Sequence, residues 1–235
     1  MDPIVNKLKG KNGGRILDVA TSHGGFLKLL TDSFTDYNEA VGIDMADDRI
    51  EIARRDAGPD LDFRVMNAES IEFDDGHFDT VAIRHSLHHL NNVDTVLAEM
   101  KRVLKPGGLF IVCEVFQCPE TLKENSQRHL HHWWAEVDRA MGVPHFDTFS
   151  RQAVLDHVDK LGLRDRQVFD HMDEYDEADS REVVKQLIAL SKDCLEKLHA
   201  NNGPQELVEK GKELIERFAR LGFTDEKAAY ILGLK

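Results

Sequence analysis

A chain of 235 residues is long enough for one well-buried α/β domain with some additions, and too short for two full-sized domains to be expected. Its composition, 41% hydrophobic and 31% charged, is typical of a globular protein and excludes a disordered or fibrous one. The formal net charge of -13, from 43 acidic and 30 basic side chains, would repel a polyanion. Nucleic acid is therefore not an expected partner.

Cysteine usage and the lengths of the apolar runs indicate the compartment. No apolar run is long enough for a membrane span, and the first residues lack the apolar centre of a signal peptide. Three cysteines, Cys113, Cys118 and Cys194, are an odd number without CxxC spacing, which argues against disulfides and thiolate metal sites. A reducing, cytoplasmic location is expected.

From about residue 15 to residue 171, short β-branched runs alternate with longer amphipathic stretches. This pattern is typical of a parallel sheet with crossover helices. Six strands are predicted, over residues 15–20, 40–44, 62–66, 79–84, 108–115 and 165–172. A short apolar run over residues 228–234 is predicted to close the sheet as a last strand.

Two of the helices between these strands have predictable ends. Asp94 precedes apolar residues at three-to-four spacing and is predicted to cap a helix that ends at Pro106. Ser150 is predicted to cap the helix before the sixth strand, with Gly162 as its left-handed stop.

The turn after the first strand has the composition of a ligand crevice. Asp18 ends that strand, and small residues follow it at Ala20, Ser22 and Gly24. In an open parallel sheet the first strand-to-helix turn faces the ligand, and small side chains let the backbone approach it closely. A tight turn also needs glycine for conformational reasons alone, so this segment does not by itself decide between the two interpretations.

The turns after the second and third strands add two further signals. Asp44 ends the second strand, where a carboxylate can accept both hydroxyls of a ribose, as it also does in nicotinamide-dependent enzymes. The alternative is a helix N-cap, for which Asp47 is at least as well placed. Asn67 and Ala68, after the third strand, can present a side-chain amide or a backbone N–H to an adenine edge.

Two adjoining stretches, FDTVAIRHSLHHL and VLAEMKRVLKPGGLFIV, resemble the class I S-adenosylmethionine-dependent methyltransferases. The similarity is greatest to the methyltransferase-11 and quinone-biosynthesis branches and runs from about Arg15 to Val115. It implies a Rossmann-like α/β fold with a seven-stranded, mostly parallel sheet. The last strand would run antiparallel between its neighbours, with helical additions over the ligand face. It also implies S-adenosyl-L-methionine as cofactor and a small molecule as methyl acceptor.

The resemblance assigns cofactor-binding residues to the ends of the first four strands. They are Asp18, Ala20, Thr21, Ser22 and Gly24 along the methionine moiety, Asp44 at the ribose, Met45, Asn67 and Ala68 at the adenine, and Arg84 and His85 beneath the methionine tail. The family pattern D-x-G-x-G-x-G is altered here, because Ala20 and Ser22 replace two glycines. Both are small enough for close approach, but a positive φ at either position would strain the backbone.

Twelve histidines raise the question of a catalytic base, since an enol, phenol or carbon acid must lose a proton when it is methylated. His85 is the candidate base. The alternative is that His85 is a surface residue without a role in catalysis. His88 and His89 are expected to open the next helix. His129 and His132 lie three apart on one helical face, as metal ligands can, but an amphipathic lid helix is the favoured interpretation and no metal site is expected.

Trp133 and Trp134 lie at the centre of segment 127–145, which is predicted to form part of the acceptor pocket and to face His85. Adjacent residues point about 100° apart on a helix, so one tryptophan is expected to pack inward. The other would meet substrate or the C-terminal helices. The alternative is that both residues anchor a lid to the sheet.

Two segments are expected to cover the crevice as insertions in a single domain, 1–235. Parallel strands end at the ligand face, and the segments 116–149 and 173–224 follow the fifth and sixth strands there. Two helices predicted in the second insertion, 180–200 and 204–221, are expected to form a lid or a contact in a homodimer.

Three other functions compete with this interpretation. Cys113 and Cys118 invite comparison with arsenite methyltransferases, although Cys113 lies in a buried-looking strand. A nicotinamide-dependent oxidoreductase would need G-x-G-x-x-G in the first turn, which is absent. A non-catalytic binding protein on the same fold stays open. The sequence favours in-line methyl transfer from S-adenosylmethionine to a small molecule, on oxygen, nitrogen, carbon or sulfur.

Overall fold

The computed structural model describes residues 2–118, 121–172 and 176–235. The strands are β1 (Arg15–Val19), β2 (Glu39–Asp44), β3 (Asp62–Val65), β4 (Phe78–Arg84), β5 (Leu104–Gln117), β6 (Phe149–Ser150), β7 (Arg164–His171) and β8 (Ala228–Leu234). The helices are α1 (Pro3–Leu8), α2 (Gly25–Ser33), α3 (Asp47–Asp56), α4 (Val93–Val103), α5 (Leu122–Ala140), α6 (Arg151–Asp159), α7 (Glu177–Ala200) and α8 (Gln205–Leu221). A single 3-10 turn covers Leu87–His89.

The strands form one sheet in the order β3-β2-β1-β4-β5-β8-β7. The first five strands of this order run parallel, and β8 is antiparallel to both β5 and β7. This arrangement confirms the predicted Rossmann-like α/β sheet, including the antiparallel last strand between its neighbours. The two-residue strand β6, which pairs with the end of β5, was not predicted.

The structure corrects the predicted ends of α4. Its N-cap is Asn92, so Asp94 lies in the first helical turn. The carboxylate of Asp94 accepts hydrogen bonds from His157 on α6 and from Lys160, the C-cap of α6, at 2.6 Å each. The helix ends at Val103, three residues before Pro106, because the chain enters β5 directly at Leu104.

Helix α6 ends as the sequence predicts. The hydroxyl of Ser150 accepts the amide of Ala153 at 3.2 Å and so caps the first turn. Gly162, just after the helix, has φ 59°, which is the left-handed conformation expected of a stop.

Helices cover both faces of the sheet. On one face, α1, α2 and α3 pack on alternate strand residues, represented by Ile16 and Ile111. On the other face, α4 and α6 pack on the intervening residues, represented by Leu17 and Val112. The period-two alternation of a strand therefore supplies two separate cores from one set of strands.

The three remaining helices, α5, α7 and α8, pack against one another around a third apolar core. We call this group the helical unit. It belongs to the two insertions predicted after the fifth and sixth strands, of which residues 119–120 and 173–175 lie outside the described ranges. Among the described helices, none carries an apolar stretch sufficient to cross a bilayer.

Candidate active site

The turn after β1 places Asp18 in the interior at the carboxyl end of the strand. The hydroxyl of Thr21 donates to Asp18 Oδ2 at 2.6 Å. Burial raises the pKa of Asp18 to about 7, although the hydrogen bonds from Thr21 and the amide of Leu27 act in the opposite direction. This carboxyl group therefore titrates near neutral pH.

The same turn is held in a conformation that normally selects glycine. Ala20 has φ 55° and Ser22 has φ 51°, the two positions where the family pattern has glycine. Gly24, with φ 79°, is the N-cap of α2, and a Cβ there would lie 2.5 Å from the ring of Phe63. The left-handed backbone that the sequence analysis identified as a source of strain is therefore present.

Asp44 connects the turns after β1 and β2. Its Oδ2 accepts the amide of Ser22 at 2.9 Å, and its Oδ1 accepts the amide of Ala46 at 2.9 Å. The N-cap of α3 is Ala46, so neither Asp44 nor Asp47 occupies that position. Met45, beside this carboxylate, is 72% exposed.

Asn67 and Ala68 follow β3 at the same edge of the sheet. The backbone amide of Met66 donates to the carbonyl of Asp44 at 2.9 Å, which fixes this turn beside the end of β2. Asn67 is exposed, and its Oδ1 accepts the amide of Glu69 at 2.9 Å. The side-chain amide nitrogen of Asn67 thus lies at a local turn beside the crevice.

Arg84 and His85 end β4 on the other side of β1. The Arg84 guanidinium donates to Asp2 Oδ2 at 2.5 Å, and its charge lies 5.3 Å from the centre of the Phe26 ring. The residues before β1 thus reach the site, which the sequence analysis did not predict. His85 has φ 48°, and its amide donates to the carbonyl of Cys113 at 2.7 Å.

The imidazole of His85 is enclosed and neutral. Its Nε2 atom is enclosed and has no hydrogen-bond partner among the described residues. Burial, opposed by the charge of Glu114, lowers the pKa of His85 to about 4. The ring is therefore uncharged at pH 7.

The predicted cofactor residues are thus gathered at the carboxyl ends of four adjacent parallel strands, β3, β2, β1 and β4. The two tryptophans are placed differently. Trp133 is fully buried, and its indole N–H donates to the carbonyl of Leu207 at 2.9 Å. Trp134 is half-buried and donates to Ser191 Oγ on α7 at 3.0 Å. Both indoles join α5 to the C-terminal helices.

A group of histidines next to His85 was missed by the sequence analysis. We call His88, His89, His131 and His145 the histidine cluster. The ring of His89 lies 4.3 Å from that of His88 and 4.1 Å from that of His145, between centroids. The ring of His131 lies 5.1 Å from His88 and 5.4 Å from His145. By contrast His129 and His132, the pair considered for a metal, contact Arg217 and Thr148 instead.

Three carboxylates form hydrogen bonds with the Nδ1 atoms of three histidines of the cluster. His88 Nδ1 lies 2.6 Å from Glu114 Oε1, His145 Nδ1 lies 2.7 Å from Asp138 Oδ2, and His131 Nδ1 lies 2.9 Å from Glu226 Oε2. Glu114 is fully buried and also accepts the amides of Ser86 and Leu87. A glutamate within the apolar run IVCEVF was the one sequence signal of this network.

Burial and mutual repulsion decide the charges in the cluster. Burial, followed by the neighbouring histidines, lowers the pKa of His88 to about 3 and that of His89 to about 2. Burial also acts to lower the pKa of His131, but the hydrogen bond and charge of Glu226 outweigh it, and that pKa is raised. His88 and His89 are therefore neutral at pH 7, whereas Glu226 favours the protonated form of His131.

The strand order, with β8 antiparallel between β5 and β7, is a Rossmann-like fold that this chain shares with solved methyltransferase structures. Residues 17–112 match the family model described as "Methyltransferase domain". This part of the chain is therefore similar to the methyltransferase domain family.

Individual proteins extend the comparison. The chain is 31% identical over 115 residues to the ubiquinone/menaquinone biosynthesis C-methyltransferase UbiE of Burkholderia mallei, an alignment covering 48% of this chain and 47% of UbiE. The chain thus spans about half the length of the curated relatives it matches. The solved structure of YcgJ from Bacillus subtilis has a TM-score of 0.60 at 20% identity, covering 99% of this chain and 96% of YcgJ.

A second similar structure was solved with ligands. It is a phosphoethanolamine N-methyltransferase of Haemonchus contortus in complex with phosphomonomethylethanolamine and S-adenosylhomocysteine. Its TM-score is 0.58 at 17% identity, covering 99% of this chain and 51% of that protein. At these identities the two structures establish the fold.

Proposed function

We propose that this chain transfers a methyl group from S-adenosylmethionine to a small-molecule acceptor. The observation that carries the proposal is the convergence of Asp18, Asp44 and His85 at the carboxyl ends of neighbouring parallel strands within a methyltransferase domain. An open parallel sheet binds its ligand at this edge.

The residues present fit the proposed cofactor. The N-cap of α2 is glycine, and a Cβ added at Gly25 would meet nothing within 4 Å, so the amino end of this helix can receive an anionic carboxylate such as that of methionine. Asp44 is half-buried and each of its oxygens accepts one backbone amide, which leaves lone pairs for ribose hydroxyls. The exposed Met45 side chain offers an apolar surface to a base.

S-adenosylmethionine supplies, when bound, an electrophilic methyl group on a sulfonium sulfur. The protein's task is to hold the acceptor in line with that group, and orientation alone lowers such barriers by about 7–11 kcal/mol. We propose that Asp18, Thr21 and the strained turn over residues 20–24 fix the methionine moiety for this purpose.

His85 is the proposed acceptor of the substrate proton. Its ring is neutral and its Nε2 lone pair or proton has no partner among the described residues. The relative UbiE is named as a C-methyltransferase, and a carbon acceptor must lose a proton in the course of methylation. We therefore favour acceptors whose methylated atom carries an acidic proton.

We propose that the helical unit excludes water from the reacting groups. His131 of α5 lies beside His88, and the amide of Phe146 donates to the carbonyl of His88 at 2.7 Å. These contacts support a lid position for the segment after β5, with α7 and α8 bracing α5 through the two tryptophans.

Equilibrium binding of radiolabelled S-adenosylmethionine tests the proposal. Loss of hydrogen bonds to an ionised acceptor should make Asp44→Ala weaken binding by about 1.5–3 kcal/mol. The exposed neighbour Asp47→Ala is the matched control and should bind as the unaltered protein does. Unchanged affinity in a folded Asp44→Ala variant would remove the ribose assignment, and binding of NAD in place of S-adenosylmethionine would overturn the cofactor.

Release of S-adenosylhomocysteine from a metabolite extract then tests catalysis. A fraction that supports turnover identifies the acceptor, and His85→Ala should lower turnover on it while S-adenosylmethionine affinity stays nearly constant. Tight cofactor binding without turnover on any fraction would favour the non-catalytic binding protein.

A further inference from the structure

We propose that His88, His89 and His145 form a binding site for one divalent transition-metal ion of the zinc type. This site is separate from the proposed cofactor residues and does not depend on them. The three side chains come from the turn after β4 and from the segment after α5, so the metal would join two parts of the chain that are distant in sequence.

The spacing of the three imidazoles is the first support. One ring nitrogen from each residue lies within 4.8 Å of the other two. Histidine nitrogens at zinc-bond length in a tetrahedral site are about 3.3 Å apart, so each pair of nitrogens would have to approach by at most about 1.5 Å. Imidazole is a ligand suited to zinc, copper, iron and nickel, and does not suit magnesium or calcium.

The orientation of two of the rings is the second support. His88 and His145 each place Nδ1 against a carboxylate, Glu114 and Asp138, at 2.6 and 2.7 Å. When Nδ1–H donates in this way, the Nε2 lone pair is left for a metal, and the carboxylate makes the imidazole a better ligand. Carboxylate–histidine pairs of this kind are characteristic of metal sites.

The third support is an unpaired polar atom in the interior. His145 is 5% exposed, and its Nε2 is enclosed without a hydrogen-bond partner among the described residues. His88, which lies beside it, is 2% exposed. Buried polar atoms nearly always have partners, so an enclosed, unpaired nitrogen within reach of two further imidazoles supports a role for His145 as a metal ligand.

The backbone holds the three residues in place without a metal. The amide of Phe146 donates to the carbonyl of His88 at 2.7 Å, which fixes the residue after His145 to the first ligand. His88 and His89 share one 3-10 turn. The site is therefore preformed, and binding requires little rearrangement of the chain.

The test uses the full-length protein, stripped of metal by a chelator and desalted. Zn²⁺ should bind with a stoichiometry of one, measured by competition with a chromophoric chelator. Co²⁺ should give the intense visible absorption of a four-coordinate ion. A stoichiometry near zero for both ions would overturn the proposal.

Four variants locate the ion. His89→Ala and His145→Ala should lose the Co²⁺ absorption, whereas His199→Ala, an exposed histidine on α7, should keep it. Cys118→Ser should also keep it, which excludes a thiolate as a ligand. Equal spectra in all four variants would place the ion elsewhere and contradict the site.

Asp138→Asn decides the matter if the alanine variants do not fold, as judged by circular dichroism. Asp138 is 40% exposed at its side chain and touches the site only through His145, so this variant should fold. Loss of its charge should weaken Zn²⁺ binding by 10- to 100-fold. An unchanged Zn²⁺ affinity in Asp138→Asn would show that the Asp138–His145 pair does not orient a metal ligand, and would overturn the proposal.

Discussion

Three residues other than glycine take a left-handed backbone at the proposed active site: Ala20, Ser22 and His85. The cost for an L-residue is roughly 1–2 kcal/mol each, and such strain persists only where the surrounding structure enforces it. Here two hydrogen bonds enforce this conformation. The amide of Ser22 donates to the carboxylate of Asp44, and the amide of His85 donates to the carbonyl of Cys113. The chain therefore holds these turns in position at the expense of stability.

Ala20→Gly should relieve part of this strain. Removing the Cβ relieves most of the cost of the left-handed conformation and so stabilises the folded state. The greater freedom of glycine in the unfolded chain opposes this gain by about 0.4–1 kcal/mol. We expect the free energy of unfolding to stay equal or rise by up to about 1 kcal/mol. The matched control is Ala189→Gly on the exposed side of α7, which should lower it by about 1 kcal/mol. Urea denaturation measures both, and equal losses would show that Ala20 is unstrained.

The buried carboxyl group of Asp18 predicts a pH dependence. Its folded pKa of about 7 lies above the usual value of 3.8, so the folded state retains a proton that the unfolded state loses. The contribution of this group to the free energy of unfolding is complete below pH 4. It declines by about 1.4 kcal/mol per pH unit as the pH rises to 7, which amounts to a few kcal/mol at most.

Asp18→Asn removes this titration. Relative to the unaltered protein, the variant should become progressively more stable from pH 4 to pH 7, with no further change above pH 8. Thermal unfolding at a series of pH values gives the difference directly. A constant difference across the range would mean that Asp18 is ionised in the folded protein.

At the scale of the elements, α5 and α8 pack extensively against each other. Gly211 of α8 faces the ring of Trp133, and an added Cβ would lie 2.2 Å from Trp133 Cζ2. The small residue lets the two helices approach, and the indole fills the space between them. This contact links the segment after β5 to the helices after β7.

Gly211→Ala should therefore destabilise the helical unit, although alanine favours a helix more than glycine does. Overpacking of a filled core costs about 1–3 kcal/mol, which exceeds the propensity gain of about 1 kcal/mol. The neighbouring Lys212→Ala, on the exposed side, should change stability by less than about 0.5 kcal/mol. Chemical denaturation followed by tryptophan fluorescence distinguishes the two. A Gly211→Ala variant as stable as the control would show that the ring can move aside.

Strands were the best-predicted elements, because a buried parallel strand reads as an apolar run wherever it lies. The exceptions were the two-residue β6, which was not predicted, and β5, which was predicted over 108–115 and is observed over Leu104–Gln117. Pro106 and Gly107 signal a turn, but the structure accommodates them as an irregularity where the pairing with β4 shifts register between Phe78 and Thr80. Such a feature depends on the partner strand and has no local signature.

Part of the candidate site could be predicted because it depends on where the strands end. Asp18, Asp44 and Asn67 lie at strand ends, and strand order alone brings such positions to one edge. The histidine cluster joins residues from the turn after β4, from α5 and from the segment beyond it. No spacing within one element indicates that cluster. Trp133 packs inward, as one of the two tryptophans was expected to do, but both indoles bond to the C-terminal helices, whereas the sequence left open whether the second would meet substrate or those helices.

At the scale of the whole molecule, the described residues form three cores, two on the faces of the sheet and one in the helical unit. The proposed cofactor contacts join loops that belong to different cores, since the turn after β1 leads into α2 on one face and His85 precedes α4 on the other. A ligand at this edge would therefore stabilise the sheet as a whole.

S-adenosylmethionine should thus raise the free energy of unfolding, and above its Kd the gain should grow with the logarithm of its concentration. At a concentration of 100 times its Kd, the expected gain is about 2.7 kcal/mol. Thermal unfolding with and without the ligand measures it, and NAD at the same concentration should produce no shift. A shift with NAD and none with S-adenosylmethionine would reverse the assignment of the crevice.

The position of β8 has a consequence for how the molecule is made. Among the described strands, β7 pairs with β8 alone, and β8 also covers one edge of β5, yet β8 follows both in the chain. At translation rates of about 5–20 residues per second, the ribosome needs roughly 3–11 s to pass from His171 to Ala228. During that interval the nascent sheet exposes an unpaired edge, to which chaperones or neighbouring nascent chains can bind. The helices α7 and α8 are synthesised in that same interval.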